Sequence, residues 1–348
     1  MIRTIVVDDS ALIRQMLTEM LNEAPDIEVV DAAQDPYDAR EKIKAHNPDV
    51  ITLDVEMPRM DGLTFLRNIM RLRPMPVIMV SSMTQDGADI TLEALELGAV
   101  DYVAKPQTNV ASDFRDYSLQ VREKVRMAAS ARIRPQPREP AERRSAGSVL
   151  ARRRPGDLKS TERLIALGAS TGGTEAVRHV LEQLPPDSPG VVVTQHIPGE
   201  FSRAFAERMN STCAITVCEA EDGQRIIPGH AYIAPGDRHM CVKRDGARYS
   251  IHLHDNEPVN RHRPSVDVLF RSVANEAGRN AVAALLTGMG EDGARGIKEL
   301  HDLDAFTIAQ DEDSSVVWGM PGTAVEMGGI DRTLPLDAIA AGLLDKTR

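Results

Sequence analysis

Cysteine is scarce in this chain. Its 348 residues hold three, Cys213, Cys218 and Cys241, an odd number with no C-x-x-C pair. That excludes a disulfide framework and a zinc knuckle, and it is expected of structural thiols in a reducing cytoplasm. Long apolar runs are missing as well: none approaches the roughly 20 residues of a membrane span. The start, "MIRTIVVDDS", leads a short apolar run straight into acids without a cleavage site, so no signal peptide is expected. Net positive charge is the third absence. The formal net charge is −11, and between Arg126 and Lys159 ten Lys and Arg face three acids, which leaves the rest near −18 once that excess of seven is set aside. Such a surface grips nucleic acid poorly, so neither nucleic-acid binding nor direct membrane insertion is expected. What remains, 42% hydrophobic and 27% charged, is the composition of a globular protein long enough for two domains.

Up to about residue 125 short apolar runs alternate with amphipathic stretches. The runs are "TIVVD" (4–8), "EVVDAA" (28–33), "DVITLD" (49–54), "PVIMVSS" (76–82) and "VDYVAK" (100–105). Helical patterns lie near 11–23, 36–45, 62–72, 86–97 and 113–128. Five β–α repeats predict a doubly wound parallel sheet, whose ligands sit beyond the carboxyl ends of the strands. Residues 126–160, rich in Arg and Pro with no apolar periodicity, read as a flexible linker; "ARRRPG" within it is a solvated connector or a docking patch for an acidic partner.

Strand ends gather chemistry in this first half. Asp8 and Asp9 close the first run and Asp54 the third. Three adjacent carboxylates repel unless a hard divalent cation neutralises them, and carboxylates with water suit Mg²⁺. Ser81 and Lys105 bring a hydroxyl and an ammonium to the same corner, with Pro106 fixing the chain after the lysine. "VVDDS", "DVEMPRMDG", "VSS" and "AKP" resemble the signature of response-regulator receiver domains over residues 1–125. The resemblance implies that Asp54 accepts a phosphoryl group. It further implies that Asp8, Asp9, Asp54 and the main-chain carbonyl of Glu56 bind Mg²⁺, and that Ser81 and Lys105 sense phosphorylation. Tyr102 matches the aromatic switch position of such domains, although by itself it reads as a packing residue.

A second set of runs begins after residue 161, at 164–167, 190–194, 214–218, 281–287 and 305–309. Helical patterns lie near 173–184, 199–210, 265–277, 291–303 and 336–345. Between 224 and 256, "HAYIAP", "HMCVKR" and "RYSIHLH" predict a β-hairpin or small meander inserted into this α/β domain. The stretch "LIALGASTGGTEAV" poses the central question of this half. A strand breaking through glycines into a helix suits either a phosphate cradle or a nucleophile elbow. No lysine lies between Leu164 and Glu182, which removes the Walker loop, and the glycines do not fall as G-x-G-x-x-G. Gly168-Ala169-Ser170-Thr171-Gly172 does match G-x-S-x-G, with a helix N-terminus behind it to favour a developing oxyanion.

A serine nucleophile needs a base and an acid. Of nine histidines, His196 stands at the end of the strand "GVVVTQH". Asp292, in the glycine-rich loop after 281–287, is the candidate carboxylate, a helix N-cap being its plainer role. The chain order Ser…His…Asp differs from that of α/β-hydrolases, so that fold is not inferred. His252, His254 and Asp255 in "SIHLHDN" could suit a metal by their alternation, but no further ligand is in view and an exposed hairpin or a substrate rim is the simpler reading.

"GASTGG", "TQHIP", "VNRHRPSVDVLF", "LTGMGEDGARG" and "VVWGMPGTA" resemble the catalytic domain of chemotaxis protein-glutamate methylesterases over 161–348, and the receiver-first order matches that family. The resemblance implies Ser170 as nucleophile, His196 as general base and acid, Asp292 as its orienter, and Thr171 and the main chain near Met289 beside the oxyanion. Glu291 departs from the family pattern and puts a second carboxylate next to Asp292. A doubly wound, mostly parallel α/β/α catalytic domain with a hairpin insertion is therefore expected behind a (βα)5 receiver. The implied activity is hydrolysis of glutamate methyl esters on chemoreceptors, with deamidation of receptor glutamines. The resemblance further implies an esterase step without a cofactor, a chemotaxis histidine kinase as phosphodonor, and an unphosphorylated receiver that inhibits the catalytic domain; a cytoplasmic, monomeric enzyme is expected. The competing reading is a response regulator with a non-catalytic or DNA-binding output, against which the acidic second half and the lack of a helix-turn-helix weigh.

Overall fold

The strand runs of both halves are apolar on both faces, which only a parallel sheet covered by helices on each side can bury. The computed structural model describes residues 1–58, 60–81, 85–105, 111–131, 163–246 and 248–347, with backbone alone at 85–89, 111–114 and 116. In the first half β1 (Ile2–Val7), β2 (Ile27–Ala33), β3 (Val50–Asp54), β4 (Val77–Ser81) and β5 (Asp101–Ala104) form a parallel sheet in the order β2-β1-β3-β4-β5. The connecting helices are α1 (Ala11–Asn22), α2 (Pro36–His46), α3 (Gly62–Leu72), α4 (Gln85–Glu96) and α5 (Ala111–Ser130). Ser10, Asp35 and Asp61 cap the first three, each accepting from an amide two or three residues on. The expected alternation is thus present. The helix α5 continues to Ser130, so residues 126–130, expected in the linker, are its last turn. From residue 132 the linker, with "ARRRPG", lies outside the described residues, as do Ser82 and Pro106.

The second half builds on β6 (Leu164–Ala169), β7 (Gly190–Gln195), β8 (Thr216–Glu219), β10 (His230–Ile233), β13 (Ala281–Leu285), β14 (Phe306–Gln310) and β15 (Arg332–Leu334). They form one parallel sheet in the order β15-β14-β13-β6-β7-β10-β8. Its helices are α6 (Gly173–Glu182), α7 (Gly199–Thr212), α8 (Val266–Glu276), α9 (Ala294–Asp302), α10 (Met320–Glu326) and α11 (Leu336–Thr347). The expected hairpin insertion is present, without one of the three segments assigned to it. β11 (His239–Asp245) and β12 (Arg248–His254) make an antiparallel hairpin, joined by the two-residue β9 (Arg225–Ile226). "HAYI" belongs instead to the main sheet: Ala231, Tyr232 and Ile233 pair in parallel with Val191, Val192 and Val193, where both their faces are buried.

The strand order reverses between β6 and β13, since β7 lies on one side of β6 and β13 and β14 on the other. The crevice beyond the carboxyl ends of β6 and β13 is where such a sheet holds its ligand. The first sheet has the same reversal between β1 and β3, with Val7 opposite Leu53.

The two halves pack together with those crevices unevenly covered. The face of α4, β5 and α5 lies against the mouth of the second sheet. Tyr102 of β5 stacks on Phe201 of α7 at 5.0 Å between ring centroids, and Glu96 ends α4 in an ion pair with Arg208 of α7. Leu92, Leu95 and Tyr102 share one buried cluster with Phe201 and Phe205.

Candidate active site

The turn after β6 is held without slack. The Ser170 amide donates to the Thr287 carbonyl at 3.0 Å and its carbonyl accepts from Gly173 at 2.7 Å. Gly172 sits at φ +73°, in the left-handed region that favours glycine. A Cβ on Gly173 would lie 2.1 Å from Gln195 Oε1, and one on Gly168 2.2 Å from a methyl of Val266. The glycines of "GASTGG" therefore let α6 and α8 close on the turn and leave the serine side chain at the crevice.

Ala169 pairs with Gln195 in register, which brings the end of β7 beside Ser170. The His196 amide donates to the Ala169 carbonyl at 3.2 Å. His196 Nδ1 is 3.0 Å from Ser170 Oγ and its Nε2 is 2.8 Å from Asp292 Oδ2. A protonated Nε2 donating to Asp292 leaves Nδ1 unprotonated and able to take the serine proton. Gln195 Nε2 donates to the carbonyls of both Ser170 and His196, at 2.8 and 3.2 Å.

Asp292 is buried and saturated. Its Oδ1 accepts from Asn260 Nδ2 and Ser265 Oγ, each at 2.7 Å, and its Oδ2 from the Val266 amide at 2.7 Å. Burial by itself would raise this carboxyl, but the His196 bond and charge, with Asn260 and Ser265, hold it well below the carboxylate range. Glu291 neither faces the ring nor shares this network; it is exposed and pairs with Arg295 at 3.3 Å. Asn260, Ser265 and Gln195 had no assigned role in the sequence reading, although "VNRHRPSVDVLF" contains the first two.

His262, also within that motif, is the other unanticipated residue. Its ring lies flat on that of His196, with centroids 3.7 Å apart and planes 10° from parallel. Burial, and then His196, push its imidazole down to about 4. His252 and His254 come to the hairpin, where His252 meets Asp222 at 3.1 Å and His254 meets the Cys241 thiol at 3.4 Å. Asp255 pairs with Arg238. Among the described residues the only group of acids, histidines and cysteines with ligand atoms close enough to share a metal is Asp8, Asp9 and Asp54. All three cysteines are free and half-buried, and burial raises their thiols.

Ser170, His196 and Asp292 line a cavity of about 730 Å³ together with Thr171, Met289 and Gly290. Its opposite wall comes from the first half, including Asp101, Tyr102, Glu123 and Lys124. Thr171 Oγ1 donates to Asp101 Oδ2 at 2.9 Å, both groups buried. Arg261 meets Glu123 at 3.2 Å. Lys124 Nζ holds Asp101 Oδ1 and the Tyr102 carbonyl at 2.7 Å. The first half thus places a carboxylate on the residue next to Ser170.

In the other crevice one oxygen from each of Asp8, Asp9 and Asp54 lies within 4.8 Å of the others. Asp8 Oδ2 is buried without a hydrogen bond, with Lys105 Nζ 3.5 Å away. Lys105 Nζ donates to Asp54 Oδ2 at 2.8 Å. Burial pushes the Asp54 carboxyl up to about 6 against the pull of Lys105, and Asp8 adds to the rise; burial likewise raises Asp8. The Glu56 amide donates to Asp54 Oδ1 at 3.2 Å. Hard oxygens, an orphaned carboxylate oxygen and excess negative charge fit a small divalent cation. Ser81 is buried at the end of β4, its carbonyl accepting from the Lys105 amide at 2.7 Å.

Comparison with known proteins assigns each half to a family. Residues 165–343 match the family model of the CheB methylesterase, and residues 4–111 that of the response regulator receiver domain. The chain is 58% identical over 343 residues to the protein-glutamate methylesterase/protein-glutamine glutaminase of Pectobacterium atrosepticum, covering 99% of this chain and 96% of that protein. It is 56% identical over 345 residues to that of Salmonella typhimurium, covering 99% and 97%. Among solved structures, the CheB methylesterase catalytic domain of Thermotoga maritima is similar with a TM-score of 0.52 at 35% identity, over 53% of this chain and 98% of that one. The catalytic crevice, the receiver in front of it and full-length similarity on this scale lead to one conclusion: this chain belongs to the family of two-domain protein-glutamate methylesterase/protein-glutamine glutaminases.

Proposed function

We propose that the chain hydrolyses glutamyl methyl esters of chemoreceptors and deamidates receptor glutamines, under the control of phosphorylation at Asp54. One observation carries the chemistry: the unbroken line from Ser170 Oγ through His196 to Asp292, at 3.0 and 2.8 Å, opening into the cavity. Ser170 Oγ gives its proton to His196 Nδ1 and bonds to the ester carbonyl carbon. The oxyanion forms beside Thr171 and the main chain at Met289 and Gly290. As the C–O bond to the methoxy group breaks, His196 returns the proton and methanol leaves. Water, deprotonated by the same imidazole, then releases the glutamate. With a glutamine side chain the leaving group is ammonia and the acyl-enzyme is the same.

At the first crevice Asp54 is the phosphoryl acceptor, and Asp8, Asp9, Asp54 and the Glu56 carbonyl would hold Mg²⁺. When bound, that ion neutralises charge on the transferring phosphoryl group. Lys105 and Ser81 contact the phosphoryl oxygens, and Tyr102 relays the change to the face covering the esterase cleft. A chemotaxis histidine kinase is the phosphodonor in this reading. No helix among the described residues is long and apolar enough to cross a membrane, and the enzyme works from the cytoplasm on its membrane-bound substrate. The test is methanol release from methylated receptor membranes by wild type and Ser170→Ala, with and without a small phosphodonor and Mg²⁺. Wild type releases methanol faster with the phosphodonor, and Ser170→Ala releases none above background. Turnover that survives in Ser170→Ala refutes the serine mechanism.

A further inference from the structure

The segment between β12 and α8 is built to hold one ring in one place. Val259 and His262 exchange amide and carbonyl bonds of 3.1 and 2.9 Å around Asn260 and Arg261, both at positive φ. Asn260 Nδ2 ties the turn to Asp292 and Asp267, at 2.7 Å each. The buried His239 fastens both flanks: its Nε2 meets the Glu257 carbonyl at 3.1 Å, and its Nδ1 accepts from the Ser265 amide at 3.2 Å. The product of these restraints is the His262 ring lying flat on His196 at 3.7 Å.

We propose that His262 is a positioning residue of the esterase: stacked on His196, it holds that ring in line between Ser170 and Asp292 and favours the imidazolium that forms as the serine loses its proton. The inference rests on the reading of Ser170, His196 and Asp292 given above. Ser170 and Asp292 meet the imidazole at its edge and leave its faces open to tilting. His262 closes one face. Around it stand His196, Asp292, Lys124 and Arg261; burial first, then the positive neighbours, outweigh Asp292 and keep it uncharged at neutral pH. An uncharged π face attracts a cation but gains little from a neutral ring. The attraction therefore grows as the proton moves, and it is this growth that lowers the barrier.

The test uses the full chain with Mg²⁺ and phosphoramidate, as wild type, His262→Ala and His262→Phe. Two rates are read: covalent labelling of Ser170 by a small sulfonyl fluoride, followed by mass spectrometry, and methanol release from methylated receptor membranes. His262→Ala slows both about tenfold, the size expected of one lost cation–π contact in a partly dry site. The loss falls on kcat, with KM within about twofold. His262→Phe, which keeps the flat face without ring nitrogens, stays within about threefold of wild type. Wild-type rates in His262→Ala overturn the proposal. So does a His262→Phe variant as slow as His262→Ala, since the nitrogens and not the face would then carry the role. Labelling needs no receptor, so the expected labelling pattern without any methanol release upholds the His262 role and overturns the ester-hydrolysis reading instead.

Discussion

At the scale of single residues, the site depends on how many donors Asp292 satisfies. An amide in its place offers one acceptor oxygen where the carboxylate offers two, and it presents an NH₂ group to neighbours that are themselves donors. Asp292→Asn is expected to lower kcat about 10³- to 10⁴-fold, as loss of the orienting carboxylate does in triads generally, read as methanol release under full activation. The same variant tests the electrostatics. Asp292 binds a proton near pH 4 in the unfolded chain but far below that when folded. Its stabilisation is thus present above about pH 4 and is lost as pH falls further. The gap in thermal midpoint between wild type and Asp292→Asn is expected to narrow between pH 5 and pH 3, by calorimetry. Ser170, His196 and Asp292 were legible because each stands at the end of an apolar run, next to a glycine turn or in a glycine-rich loop. Asn260, Ser265 and His262 were not. Asn260 and His262 sit in an irregular segment with no periodicity and Ser265 reads only as the cap of the helix that follows; the fold alone turns them toward Asp292 and His196.

At the scale of elements, the elbow is a packing device. With a Cβ on Gly168 only 2.2 Å from Val266, Gly168→Ala must push α8 away from β6. The expected cost is about 1–3 kcal/mol, read by urea unfolding. Because Ser265 and Val266 both hold Asp292, esterase activity falls with it. Alternating β and α elements were plain in the sequence, since buried parallel strands read as short Val- and Ile-rich runs. The assignment of "HAYI" to the insertion failed for a physical reason. A four-residue strand carries no mark of its partner, and β10 is defined by the Val191–Val193 edge it lies against. The remaining hairpin, β11 and β12, was recognisable because its partners are neighbours in sequence.

At the scale of the whole molecule, the receiver covers the cleft through a few contacts of unequal weight. The Arg261–Glu123 pair is exposed and contributes little. The buried ones among the described residues include Tyr102 on Phe201, Leu92 and Leu95 in the same cluster, and Asp101 on Thr171. Phe201→Ala is expected to raise methanol release without phosphodonor several-fold, since losing an aromatic stack at this contact costs on the order of 1 kcal/mol. Asp54→Asn is expected to keep basal turnover and lose stimulation by phosphodonor plus Mg²⁺; an Asp54→Asn protein that is still fully activated refutes the gate. The corner around Asp54 adds a pH dependence of the opposite sign to that of Asp292. Its folded carboxyl is raised to about 6, so the metal-free fold gains stability as pH falls from about 6 toward 4. A proton taken up there competes with the cation. Mg²⁺ affinity, by titration calorimetry, is expected to weaken several-fold between pH 7.5 and 5.5.

The sequence by itself determined the two doubly wound sheets, the acidic corner, and the elbow with its histidine and aspartate, because each is written locally as a run, a turn or a strand end. Tertiary structure alone decided what surrounds them. It set which strands neighbour β6 and β7, which side chains saturate Asp292, and that His262 lies on His196. It also set that Asp101, 69 positions before Ser170, bonds to the threonine beside it. Those are contacts between segments remote in the chain, and they exist only after burial of the apolar faces has brought the segments together.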